Sequence, residues 1–129
     1  MKKALVILIL LSLLYSCEKS EAVSHSLSGN YVGIFSRSGM DTSQVTLFFD
    51  QNRFEGKSNR QHYPAVCRGS FELDDNHILF TDSCSWTANF DWSLILSGMY
   101  NINFSDGTVR IWKINGAVTD EYLLRQPFR

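Results

Sequence analysis

From Gly29 onward the chain alternates apolar and polar residues in short runs rich in Phe, Tyr, Val, Ile and Thr, with turn residues between the runs. Successive side chains of an extended strand point to opposite faces, so this alternation gives each segment one face to bury and one to expose. Strands are predicted near 29–37, 43–50, 53–59, 66–73, 77–82, 90–96, 99–104, 108–114 and 120–125. No stretch of helix length carries an apolar stripe of period 3.6. The one helical candidate, around Ser85 to Asp91, is a single turn.

The punctuation is explicit. Asp50-Gln51-Asn52, Asp74-Asp75-Asn76, Ser97-Gly98, Ser105-Asp106-Gly107 and Asn115-Gly116 supply residues that tolerate positive φ or bond back to their own backbone. Cys67, Gly69, Phe71 and Leu73 share a face opposite Arg68, Ser70 and Glu72, and Tyr100, Ile102 and Phe104 oppose Asn101 and Asn103. Eight or nine such strands laid flat would leave two unpaired edges, and closure removes both. The expected fold is therefore all-β, an antiparallel up-and-down barrel. A hairpin turning at Asp74-Asp75-Asn76 sets residues summing to about 150 across from each other, Leu73 from His77 and Cys67 from Ser83. A slight bulge would then bring Cys84 within disulfide reach of Cys67. Such a bridge stabilises by roughly 3 kcal/mol in the chain-entropy account.

The first residues carry a different message. Met1-Lys2-Lys3, the apolar run Ala4 to Leu14 and then Tyr15-Ser16-Cys17 have the proportions of a secretion signal. The run falls short of the roughly twenty apolar residues that a membrane-crossing helix needs. Leu14-Tyr15-Ser16-Cys17 resembles a relaxed bacterial lipobox of the Bacteroidetes type. That resemblance implies cleavage after Ser16 and acylation of Cys17, each buried methylene adding about 0.8 kcal/mol of membrane attachment. Residues 1–16 are then the signal peptide, 17–27 a polar tether beginning Glu18-Lys19-Ser20-Glu21, and 28–129 the domain. The implied location is the cell envelope, on the outer membrane at its periplasmic face or the cell surface.

Loss of residues 1–16 leaves 129 − 16 = 113 residues, enough for one core. Losing Lys2 and Lys3 takes the formal charge from −1 to −3. A mildly acidic chain with scattered cations has no footprint for nucleic acid. Cys67 and Cys84 remain as a pair in an oxidising compartment, with no close Cys or His pair to complete a zinc site. Asp74-Asp75-Asn76 lacks the ligand count of a calcium site. Nucleophilic catalysis needs a Ser or Cys beside a positioned His, yet no Gly-x-Ser-x-Gly occurs, and His25, His62 and His77 fall in the tether, a loop and a strand start. The expectation is a monomeric protein that is not an enzyme and carries no cofactor or metal.

Leu27-Ser28-Gly29-Asn30-Tyr31 at the first strand and Tyr122-Leu123-Leu124-Arg125 at the last are similar to the ends of lipocalin-like domains. Between them, Phe54-Glu55-Gly56, His62-Tyr63-Pro64, Cys67-Arg68-Gly69, Ile78 to Cys84 and Trp86 to Gly98 resemble small Bacteroidetes lipoproteins carrying such domains. In that family a Trp in the first strand lies under an Arg from the last. The resemblance implies that Tyr31 takes the Trp position and that Arg125 closes the barrel over it, a contact of about 0.5–2 kcal/mol.

A lipocalin-like barrel implies a small apolar ligand in its mouth, with Phe35, Phe49, Phe71, Phe80, Trp92, Tyr100 and Phe104 as lining. The same rings would equally fill the interior of a small barrel. A partner-binding module is the alternative, similar in size and address to the lipid-anchored barrel inhibitors of lysozyme. In either case the contact residues are expected on the loops, at His62, Tyr63, Trp86, Phe90 and Trp92, with Trp92 directed into the core.

Overall fold

The computed structural model of the chain describes residues 24–128. Eight antiparallel strands follow one another around a closed barrel: β1 Gly29–Arg37, β2 Ser43–Asp50, β3 Arg53–Ser58, β4 Arg68–Leu73, β5 His77–Asp82, β6 Gly98–Ser105, β7 Thr108–Asn115 and β8 Val118–Arg125. Each strand pairs with its neighbour in sequence, and β8 returns to β1 from Val32↔Arg125 to Arg37↔Asp120. Among the described residues no sheet edge is left open, the closure expected from the sequence. The expected signal peptide, Cys17 and most of the expected tether lie outside the described residues.

The segment 90–96, expected as a strand, does not join the sheet. It holds a 3-10 turn at Trp92–Leu94, capped by Asp91, whose carboxylate accepts from the Ser93 backbone N–H. The one-turn helix expected at 85–91 is thus displaced to the residues that follow. Ser97-Gly98, expected as a turn, leads into β6, with Gly98 at φ 94°.

The β4–β5 register also differs by one from the expectation. Leu73 pairs with Ile78 and Gly69 with Asp82, so paired numbers sum to 151. The reason is local: Asp74 Oδ1 accepts from the backbone N–H of both Asn76 and His77, which pulls His77 into the turn. Extending the register places Cys67 opposite Cys84, and no bulge is needed. The two form a disulfide with Cα atoms 6.4 Å apart.

Inward residues fill the barrel with rings in edge-to-face and tilted contact, the geometries that the aromatic quadrupole favours. One continuous chain runs Tyr63–Phe35–Tyr122–Tyr100–Phe80–Phe54, at centroid distances of 5.3, 4.9, 6.2, 5.6 and 5.1 Å. Tyr31, Phe49 and Phe71 form a second. Leu47, Ile78, Ile111 and Leu124 occupy the space between them. Two glycines let the wall close: a Cβ on Gly33 would lie 1.9 Å from the Leu123 carbonyl oxygen, and one on Gly69 1.9 Å from that of Thr81.

Candidate binding rim

Following the strands up and down sorts the connections into two ends. The base holds the chain's entry at Leu27 and its exit at Gln126, with the short turns Gln51-Asn52, Asp74-Asp75-Asn76 and Asp106-Gly107. The opposite rim holds both long connections, residues 59–67 and 83–97. These two loops are tied to each other. Ala65 bridges Ile95 in parallel, with Ala65 N–H donating to Leu94 O and Leu96 N–H to Ala65 O, both at 3.0 Å.

Together they form a lid. Tyr63, Ala65 and Leu96 are buried beneath it. Tyr63 turns its ring down onto Phe35 and donates its hydroxyl to Asp41 O at 2.7 Å. Of the residues expected to contact a ligand, Tyr63 is therefore a plug in the mouth. With the lid shut and rings along the axis, the barrel interior is a packed core.

The other four expected contact residues come together on the outside of the lid. His62, at φ 56°, stacks flat on Phe90 with centroids 4.1 Å apart and an interplanar angle of 11°. Trp86 meets both edge-on, at 5.9 and 5.6 Å. Its Nε1 donates to Asp82 Oδ2 at 2.7 Å, which fixes the indole to the end of β5. Trp92 continues the cluster at 6.2 Å from Phe90. The expectation that Trp92 points into the core is corrected, since it is 57% exposed. The 3-10 turn carries it outward while Leu94 and Leu96 supply the buried contacts.

A charged clasp holds this surface to the barrel. Arg37, on the inward face of β1, grips Asp120 of β8 through Nε and one terminal nitrogen at 2.6 and 2.7 Å. The two side chains are 10% and 7% exposed. The same guanidinium reaches Asp91 Oδ2 and Ser93 Oγ, both at 3.0 Å. Its hydrogen bond with Asp120 raises the Arg37 pKa, and burial opposes that shift. Asp91 is held below the usual carboxylate range, first by the Ser93 hydroxyl and backbone N–H. Below the clasp, burial raises the Tyr100 and Tyr122 phenols above their ordinary value and lowers Lys113, whose ammonium lies 4.6 Å over the Tyr100 ring.

The ends implied by the lipocalin resemblance do not meet as expected. Tyr31 faces inward and packs edge-on against Phe49. Arg125 lies on the outer face of β8, its guanidinium 5.6 Å from the Phe128 centroid. Alternation along β8 is the cause: Tyr122 and Leu124 point in, so Arg125 points out. Within the segment expected as tether, His25 stacks on Phe104 at 4.4 Å and Leu27 is buried.

Depressions of the surface occur along the outer wall and at both ends. One of about 320 Å³ runs over Val32, Ile34, Leu123 and Arg125. One of about 290 Å³ lies at the base between His25 and the Asp106-Gly107 turn, and one of about 150 Å³ lies on the rim beside Trp86. Among the described residues no group of three or more His, Cys, Asp or Glu is placed to hold a metal, and no helix is long and apolar enough to cross a membrane. No protein-family model, curated protein or solved structure matches this chain.

Proposed function

We propose that this chain is a non-enzymatic binding module of the cell envelope, lipid-anchored through Cys17, which engages an envelope partner with the aromatic rim His62, Trp86, Phe90 and Trp92. The single observation that carries this reading is the position of those rings. Four aromatic side chains from two loops are gathered on the outside of a closed lid, at the end of the barrel farthest from the chain's entry at Leu27. Aromatic residues dominate interface hot spots because they bury much area at little conformational cost. An anchor at the base would leave the rim facing away from the lipid. The alternative of a small apolar molecule held inside the barrel, as in lipocalins, is less favoured because rings occupy the axis and Tyr63 fills the mouth.

Photo-crosslinking in intact envelopes tests the rim. A photoreactive residue at position 92 should give discrete adducts that are lost with Phe90→Ala, and one at position 75, on the base, should give none. Adducts at position 75 alone, or none at either place, would overturn the proposal. The anchor has its own test: Cys17→Ala should release the protein from membranes, and continued membrane partition would refute acylation.

A further inference from the structure

Beside the ring cluster the rim sinks into the groove of about 150 Å³, half the roughly 300 Å³ at which pockets for drug-sized ligands begin. It has room for one ring-sized group. Lys57, Arg60, Gln61 and His62 line one side and Trp86 contributes an indole wall, while no carboxylate takes part in the lining. The indole N–H of that wall is engaged by Asp82, and Glu55, two residues before Lys57, lines the neighbouring depression on the outer wall.

Among the described residues, the two cations of the groove are not spent on ion pairs. Those of the described residues involve Arg37, His77 and Arg110, and leave Lys57 and Arg60 out. Arg60 is nevertheless held in place. Its guanidinium carbon sits 4.7 Å over the Tyr63 ring, one terminal nitrogen donates to Thr42 O at 3.4 Å, and its backbone N–H donates to Ser58 Oγ at 3.2 Å. A guanidinium positioned in this way, in a groove that Lys57 also lines, favours a carboxylate through charge-assisted hydrogen bonds. An aromatic wall favours a flat face of C–H groups, and the Gln61 amide offers both a donor and an acceptor for hydroxyls.

We propose that the groove between Lys57, Arg60 and Trp86 binds a carboxylate-bearing sugar, of the uronic acid class. The carboxylate lies between Lys57 and Arg60, and one face of the sugar ring lies against Trp86. The proposal rests on the rim being the binding surface, and it names the chemical group by which a partner is recognised there.

The test is titration of the isotope-labelled full chain in detergent micelles with glucuronate, with glucose and acetate as separate probes. Glucuronate should shift the Trp86 indole N–H and the backbone amides of 57–66 saturably. Glucose and acetate should each bind at least about tenfold more weakly, a factor worth about 1.4 kcal/mol. The pair Lys57→Ala and Arg60→Ala should weaken glucuronate by a similar factor, while Arg53→Ala, which removes an exposed cation at the base end of β3, should leave it unchanged. Equal binding of glucose would overturn the role of the cations. Equal binding of acetate would overturn the sugar, and no shift with glucuronate would overturn the site. Rim adducts at position 92 that persist when glucuronate fails would remove this proposal and leave the rim reading standing. Loss of both would remove the two together.

Discussion

The two ends of the barrel are built by different physics. At the base, short turns satisfy themselves: Asp74 caps its own turn, and Asp106-Gly107 supplies the two positive φ values, 48° and 78°, that a tight hairpin requires. At the rim, the long loops add to local bonds, such as the Asp91 cap of the 3-10 turn, contacts borrowed from elsewhere. Ala65 and Leu96 bond to each other's loop, Trp86 leans on Asp82, and the 3-10 turn hangs from Arg37, fifty-four residues away from Asp91 in sequence. A self-sufficient base can carry an attachment point, whereas a rim held by distant partners presents side chains whose arrangement depends on the whole fold.

The most damaging challenge to this contrast is Phe35→Ala, because Phe35 is fully buried and touches both Tyr63 of the lid and Tyr122 of the wall. A loss of about 3–5 kcal/mol is expected, measured by chemical denaturation. Loss below about 1 kcal/mol would mean that the lid does not rest on the core. Next, Cys67→Ser with Cys84→Ser should cost roughly 3 kcal/mol. Labelling of the native protein should find no free thiol at either position, and stoichiometric labelling would contradict the bridge.

Arg37→Met sharpens the comparison more directly. It strands Asp120 without its cation and frees the 3-10 turn, at an expected cost of about 2 kcal/mol. Hydrogen exchange should speed up in 84–97 and stay unchanged at Asp106-Gly107; uniform loosening at both ends would erase the distinction. The smallest effect is expected from acid. Asp74 at the base is held low by the backbone N–H groups of Asn76 and His77, and Asp91 at the rim by Ser93. A carboxylate lowered in the folded state stabilises above its unfolded value, near 3.9, and that contribution disappears as pH falls through the lower folded value. Carbon-detected titration should place both below about 3.9, with the rim indole signals following Asp91 and the turn amides following Asp74. An ordinary value at either carboxylate would show its hydrogen bonds to be absent in solution.

Most of the fold could be read from the chain because it rests on local regularities. Period-two alternation marks β1 to β8 to within a residue or two, and the exclusion of open edges closes them into a ring. Where the reading slipped, a contact distant in sequence or a detail of side-chain hydrogen bonding was responsible. Phe90-Asp91-Trp92-Ser93-Leu94 alternates well enough to pass for a strand, and only the clasp from Arg37, with Asp91 capping the turn, makes it leave the sheet. The paired numbers of β4 and β5 shift by one because Asp74 takes two backbone donors. His62, Trp86, Phe90 and Trp92 could be picked out as loop aromatics, but nothing in their spacing says that they stack together or that Tyr63, their neighbour, turns inward. Asp120 and Arg37 carried no signal as a pair, since they lie eighty-three residues apart.

By itself the sequence determined the all-β class, closure and the cysteine pairing, because alternation and turn chemistry act between neighbours along the chain and across adjacent strands. The tertiary structure alone decided that the interior is packed rather than open and that the aromatic loop residues gather on one outer surface. Those outcomes depend on how side chains of distant strands share a fixed volume, and no local pattern encodes that.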